Sequence, residues 1–322
     1  MLKKLFIDGH TGTTAQKIKT VLAPFVEAGA VEVIEAADHR NIDQRMTSIA
    51  SADLAVLCTH DDISRGTMTA LRERGIATRI LDTSSAFRTD PGWTYGFPEL
   101  SAGQAEKIAN ASYVANPGCY ATGAVAVLRP LVDAGFIVPS AVVEITGFSG
   151  FSGGGKDMVT TYETASPDQG LAQAILFYSL SSPHKHLPEI AQYSGLTYTP
   201  NFFPQVVPVP CGMMVRVSFN EVVLPHSMAD VHKVYAAAYG SNPGSAIRVA
   251  VLEPTLSRID FSDFLTVNRD FPKHPPDEGL KIHVTGWEQG TRRQVTVMAT
   301  LDNLGKGAAS QAVQNVRLML GF

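Results

Sequence analysis

Apolar and polar positions change period several times along the first third of the chain. Short apolar runs at Lys4–Ile7, Val31–Glu35, Leu54–Cys58, Ile80–Asp82 and Tyr113–Ala115 predict strands. Amphipathic stretches at Thr13–Phe25, Asp43–Ser48, Asp62–Arg74 and Ala102–Ala109 predict the helices between them. Strands alternating with helices across short loops predict an α/β fold with a Rossmann-type, doubly wound parallel sheet. From about Val138 the texture changes. Val142–Thr146, Met213–Leu224, Ala246–Val251, Leu280–Glu288 and Arg293–Asp302 alternate and are rich in β-branched residues, with one helix near Met228–Gly240. This pattern predicts a second, α+β domain on a largely antiparallel sheet. The final helix, Gly305–Leu320, is expected to return to the first domain. The expected division is therefore 1–117 with 303–322 as the dinucleotide-binding domain, and 118–302 as the catalytic and oligomerisation domain. Loops rich in Pro and Gly near 150–155, 181–188, 199–212 and 269–279 are places where function can sit.

Composition narrows the classes. The 322 residues are 45% hydrophobic and 17% charged, enough for two sizeable cores. A formal net charge of -4 without a basic face argues against nucleic acid or an anionic membrane as partner. Three cysteines argue against a disulfide framework and for a reducing, cytoplasmic setting. The opening MLKKLFIDGH meets Asp8 after three apolar residues, so it reads as a first strand and not as a signal peptide. No apolar run is long enough to span a bilayer.

The richest local chemistry is Asn116-Pro117-Gly118-Cys119-Tyr120, between the extended run Ala111–Ala115 and an apolar helix that starts at Ala121 and pauses at Pro130. A Pro-Gly corner there delivers Cys119 onto the first turn of a helix, where backbone N–H groups and the helix dipole favour a thiolate. Free cysteines are more often inert core residues, a reading that fits Cys58 and Cys211. From local chemistry alone both readings of Cys119 stand.

Strand 1 runs into Asp8-Gly9-His10-Thr11-Gly12-Thr13-Thr14-Ala15, a G-x-x-G-x-x-A variant of the dinucleotide fingerprint. Gly9 suits the tight turn, and Gly12 lets the backbone approach a pyrophosphate at the helix N-terminus, with Thr11 and Thr13 beside it. The second strand ends at Glu35, followed by Ala36-Ala37-Asp38-His39-Arg40. The acidic residue favours NAD and the arginine favours NADP; Arg40 tips the reading to NADP.

Three further segments carry candidate groups. His184-Lys185-His186-Leu187-Pro188-Glu189 suits a general acid/base whose tautomer is fixed by Glu189. A metal is not expected there, because a third ligand is missing. Asp82-Thr83-Ser84-Ser85-Ala86-Phe87-Arg88 offers hydroxyls, Ser84 among them, and a guanidinium for an anion, or is an ordinary polar loop. Gly150–Gly154 matches G-x-S-x-G, but a nucleophile elbow needs a substantial helix next, and a β-branched, threonine-rich segment follows. A glycine-lined wall beside a substrate, at Ser149 and Gly150, is the preferred reading.

With Gly9–Ala15, Asn116–Tyr120, His184–Glu189 and Asp302-Asn303-Leu304-Gly305-Lys306-Gly307-Ala308-Ala309 in this order, nearly the whole chain resembles the shorter form of N-acetyl-γ-glutamyl-phosphate reductase. Aspartate-semialdehyde dehydrogenase is its sister family. The resemblance implies that Cys119 is the attacking thiol, that His184 or His186 is the acid/base, that Arg88 grips the acyl phosphate and that Asn303 approaches the nicotinamide. It also implies NADPH-dependent reduction of a small-molecule acyl phosphate through a cysteine thioester, in arginine biosynthesis; the long β-rich second domain is what makes a homodimer or homotetramer the expectation. Two departures, Ala15 for a third glycine and Ala121 for a proline, leave the motifs intact. The rival readings are an aspartyl-phosphate-specific sister enzyme and a non-catalytic cofactor-sensing module.

Overall fold

The computed structural model describes residues 2–36, 38–164, 174–240, 247–250 (as strand backbone) and 278–322. The expected loop 269–279, apart from its last two residues, and both ends of the expected strand Ala246–Val251 lie outside them. The chain forms two units, Met1–Gly118 with Ala308–Phe322, and Cys119–Gly307.

The first unit carries β1 (Lys3–Asp8), α1 (Thr13–Glu27), β2 (Val31–Ile34), α2 (Ile42–Ala50), β3 (Leu54–Leu57), α3 (Asp61–Glu73), β4 (Arg79–Asp82), β5 (Thr94–Tyr95), α4 (Gln104–Asn110) and β6 (Tyr113–Ala115). Its six strands lie in the order β2-β1-β3-β4-β6-β5, every neighbouring pair parallel. Such a sheet is covered on both faces, which is why β3 reads as an unbroken apolar run and is buried throughout. One face packs Leu5, Ile18, Leu22 and Leu54 against Val313, Val316 and Leu320. The last three belong to the closing helix, Ser310–Leu320, whose apolar positions recur at helical spacing and so form one buried face. The other face packs Phe6, Met46, Ile49, Met68, Leu71, Phe87 and Trp93. The strand order reverses between β1 and β3, and in such sheets a ligand crevice opens at the carboxyl ends of the strands at that point.

The second unit holds α5 (Cys119–Asp133), β7 (Glu144–Gly150), α6 (Gly155–Thr164), β8 (Leu176–Phe177), α7 (Leu187–Tyr193), β9 (Asn201–Val207), β10 (Met213–Asn220), α8 (Met228–Tyr239), β11 (Ile247–Ala250), β12 (Leu280–Gln289) and β13 (Arg292–Leu301). A π-helical turn, Gly305–Ala309, leads to the closing helix α9 (Ser310–Leu320). The sheet order is β11-β12-β13-β10-β7-β9-β8. The β11–β12 and β7–β9 pairs are parallel and the remaining neighbours antiparallel, a mixed sheet. β9 was expected as a loop, because Pro204 and its neighbours break the alternation; Pro204 nevertheless sits in register with Gly147 of β7.

Helix α5 also departs from expectation, since it neither waits for Ala121 nor pauses at Pro130. A proline in a helix removes the N–H that would bond the carbonyl four residues back. Here that carbonyl, Ala126 O, accepts the Tyr239 hydroxyl of α8 at 2.9 Å instead. Gly123 lets α5 lie close on the sheet, as a Cβ there would stand 2.7 Å from Val215 Cγ2. Among the described residues no helix is long and apolar enough to cross a membrane.

Gly9 turns the chain at the end of β1 with φ +75°, and a Cβ there would stand 2.3 Å from the Cys58 carbonyl oxygen. Gly9→Ala is expected to lower unfolding free energy by roughly 1–3 kcal/mol in urea titrations. A variant as stable as the parent would contradict this close approach.

Candidate active site

Cys119 is the first residue of α5 and is partly exposed, whereas Pro117, Gly118 and Tyr120 on either side are buried. N–H groups in the first turn of a helix lack intrahelical acceptors and favour negative charge, the setting in which cysteine acts as a nucleophile. A second constraint comes from Gly307. A Cβ at that position would stand 2.8 Å from Cys119 Cβ and 3.3 Å from its Cα. Asp302 holds this turn in place: its carbonyl accepts the Gly307 N–H at 2.9 Å and its carboxylate accepts the Leu304 N–H at 2.8 Å.

The two histidines of the Pro-flanked loop are both buried and meet edge to face, their centroids 4.6 Å apart. His184 Nδ1 accepts the backbone N–H of His186 at 3.1 Å. A neutral imidazole with Nδ1 as acceptor carries its proton on Nε2, and that atom lies 3.2 Å from the Tyr178 hydroxyl. Tyr120 presents its ring edge to His184, His186 and Phe202, at 5.7, 6.1 and 5.1 Å, and donates its hydroxyl to Gln205 O at 2.8 Å. Burial pushes the Tyr178 phenol up to about 12, with the nearby Cys119 sulfur adding to the effect, and burial holds Tyr120 higher still. Both phenols therefore work as neutral hydrogen-bonding groups beside the sulfur. Glu189 is buried on the first turn of α7. Tyr178 was not anticipated; a lone tyrosine after a two-residue strand gives no periodic signal.

The glycine-lined wall takes a different form from the one expected. Ser149 is buried, and Gly150 is packed by protein: its N–H donates to Gly212 O at 2.8 Å, and a Cβ would stand 2.7 Å from Pro210 O. A Cβ on Gly153 would meet Ser149 Oγ at 2.9 Å. These glycines serve backbone packing within the unit. The G-x-S-x-G match does precede a ten-residue helix, α6, contrary to expectation. Ser152, however, is buried, accepts the Asn303 amide at 2.9 Å and lies 3.6 Å from Cys211 Sγ. Asn303 in turn accepts the Gly212 N–H at 2.8 Å, so its amide clips the end of β13 to two loops of the same unit.

In the first unit, Gly12 is the N-cap of α1 and provides no side-chain cap, which leaves the first-turn N–H groups near Thr13 for an anion. With Gly9 admitted only by its missing side chain, this turn fits a dinucleotide pyrophosphate. Thr11 and Arg40 are exposed. Glu35 is tied to Lys19 at 2.6 Å, and the bond and the ammonium charge lower its carboxyl pKa. Ser84 Oγ donates to Asp82 Oδ2 at 2.6 Å and accepts the Ala86 N–H at 3.1 Å, so this hydroxyl shapes its loop. Arg88 is buried and donates to Asn116 O at 2.9 Å and Thr83 O at 3.2 Å. Asn116 is held further by Asp82, whose carbonyl accepts its N–H at 2.8 Å, and by Asn315 Nδ2 on its Oδ1 at 3.1 Å.

Full burial pushes the Asp82 carboxyl up to about 6, opposed by hydrogen bonds from Ser84 and Ser64 and by Arg88. A carboxyl raised on folding costs stability as pH rises from its unfolded value through its folded one. Asp82→Asn should therefore be more stable than the parent by about 3 kcal/mol near pH 7.5 and nearly equal to it near pH 4. A difference that does not change between those pH values in denaturant titrations would contradict the raised carboxyl. Gly307→Ala should fold but lower kcat about 100-fold by displacing the sulfur. Unchanged kcat would contradict the contact.

Two family models match the chain, "Semialdehyde dehydrogenase, NAD binding domain" over residues 27–111 and "Semialdehyde dehydrogenase, dimerisation domain" over residues 119–303. The N-acetyl-gamma-glutamyl-phosphate reductase of Brucella anthropi is 41% identical over 100% of this chain and 99% of its own length. That of Brucella ovis is 40% identical over all of both chains. Among solved structures, aspartate semialdehyde dehydrogenase II of Vibrio cholerae, in complex with ASA, superposes with a TM-score of 0.70 at 18% identity, covering 100% of this chain and 99% of that one. Aspartate semialdehyde dehydrogenase of Candida albicans, with NADP, gives 0.65 at 16% identity, covering 99% and 98%. At these identities the structures share the fold.

Proposed function

The chain belongs to the N-acetyl-γ-glutamyl-phosphate reductase family, and from that premise we propose how its residues carry out the NADPH-dependent reduction of N-acetyl-L-glutamyl 5-phosphate to the 5-semialdehyde. The observation that carries the reading is Cys119 at the head of α5, partly exposed and close enough to raise the pKa of Tyr178, which contacts His184.

The Cys119 sulfur attacks the acyl carbon; the carbon–sulfur bond forms, the carbon–oxygen bond to phosphate breaks and phosphate leaves. NADPH, when bound, supplies a hydride. The first-turn N–H groups of α5 stabilise the oxyanion. The His184/His186 pair gives a proton to the alkoxide and takes it back as the carbon–sulfur bond breaks, releasing the aldehyde and the thiolate. The tautomer fixed by the His186 N–H directs the His184 proton toward Tyr178. Glu189 supports the loop from α7. Gly9, Thr11, Gly12 and Thr13 hold the pyrophosphate, with Arg40 toward the ribose phosphate and the Ser84 loop nearby. The assignments of Arg88 to the substrate phosphate, of Ser149 and Gly150 to the substrate and of Asn303 to the nicotinamide rest on the family resemblance. Arg88 has in addition the backbone role described above. Residues 119–303, matched by a dimerisation-domain model, are assigned to self-association as a dimer or tetramer. Three free cysteines suit the cytoplasm.

Cys119→Ser should bind NADPH normally and lose at least about 1000-fold in turnover. Near-parental turnover would remove the covalent route. In the reverse direction, with phosphate and NADP, N-acetylglutamate semialdehyde should be oxidised far faster than aspartate semialdehyde. The opposite order would assign the chain to the sister activity.

A further inference from the structure

We propose that the stacked pair His10–His39 reads the 2′-phosphate of NADP and couples its binding to proton uptake, so that the preference for NADP over NAD depends on these two rings. The proposal rests on the dinucleotide reading of the Gly9–Thr13 turn and goes beyond it, by assigning specificity to one residue within that turn and one on the loop after β2.

His10 lies inside that turn, between Gly9 and Gly12, and His39 lies on the loop that follows β2. In a sheet of this order the end of β2 meets the adenine ribose. The two rings stack with centroids 3.7 Å apart and planes 25° from parallel, and Phe6 lies under His39 at 6.2 Å and 10°. His39 Nδ1 is buried and has no hydrogen-bond partner among the described residues. A polar atom in that state is costly unless a ligand or solvent completes it.

The charges facing the pair favour an incoming anion. Asp8 reaches it from β1, Glu35 from the end of β2 and Lys19 from α1, with Asp38 and Arg40 on the same loop. Both nearer carboxylates are already paired. Asp8 is bonded to Arg45 of α2, and Glu35 is bonded to Lys19. Repulsion of a phosphate is thereby cancelled, and the imidazoles and Arg40 remain to receive it.

Burial, then the charge of His10, holds His39 below its ordinary value in the free protein. Two rings in face contact cannot both charge cheaply, but a phosphate of charge near −2 beside them reverses that balance. The 2′-hydroxyl of NAD offers no such charge. NADP should therefore arrive with a proton and NAD without one.

Isothermal titration calorimetry of the full chain, with NADPH and NADH in two buffers of different ionisation enthalpy between about pH 6 and 8.5, counts the protons. The parent should take up a fraction of a proton with NADPH and none with NADH. His39→Gln should lower the uptake relative to the parent and weaken NADPH roughly tenfold at low pH, the loss of one charge-assisted contact, while NADH changes less than about twofold. His10→Gln should move in the same direction. The titration of the 2′-phosphate is common to all these proteins and cancels in the difference between the parent and variant proton counts. Equal proton uptake in both variants and parent, or equal loss of NADPH and NADH, would overturn the proposal. Failure of the parent to bind either nucleotide would overturn the dinucleotide reading itself.

Discussion

The close approach of Gly307 to Cys119 constrains the geometry around the sulfur. With Cβ atoms unable to fit on both sides, the first turn of α5 and the Gly305–Ala309 turn can be this close only if one of them has no side chain. Asp302 secures one partner through its carbonyl and carboxylate. The other is secured by the body of α5, buried along almost its full length and closed at Pro130 by a tyrosine from α8. If Cys119 is the nucleophile proposed above, this over-determined seat serves it, because a small misplacement of the sulfur lowers rate more than stability.

In the first unit a single residue is held from three sides. Asn116 is gripped by Asp82, Arg88 and Asn315, from a strand end, a loop and the terminal helix. That grip fixes the corner from which the chain enters α5. Asp82 carries the cost, as a fully buried carboxyl whose proton is held more tightly than usual. The terminal helix thus does more than complete a hydrophobic layer: Asn315 brings a polar brace to the last residue before the Pro-Gly corner.

The parts legible in the sequence were those written in local pattern. Parallel strands covered on both faces are short apolar runs, and the glycine turn and the Asn-Pro-Gly-Cys corner are contiguous. Where tertiary partners decide, local pattern failed. Pro130 looked like a pause because the hydroxyl that replaces its lost donor lies more than a hundred residues away in Tyr239. Pro204 hid β9 for a related reason, and the threonine-rich Gly155–Thr164 is helical despite its β-branched residues, a case of context overriding propensity. Gly150 and Ser84 carry residue types that suit ligand contact, yet the groups packed against them are protein groups that only the folded chain brings near. Tyr178 and the His10–His39 stack had no sequence signature, since their meaning lies in a ring or hydroxyl contributed from another segment.

The covalent step is the claim on which the chemistry turns, and intact-protein mass spectrometry tests it without cofactor. Incubated with N-acetylglutamyl phosphate and no NADPH, the enzyme should gain the mass of one N-acetylglutamyl group, and peptide mapping should place it on Cys119 as a hydroxylamine-labile thioester. Release of phosphate with no adduct, or an adduct on any other residue, would contradict the account.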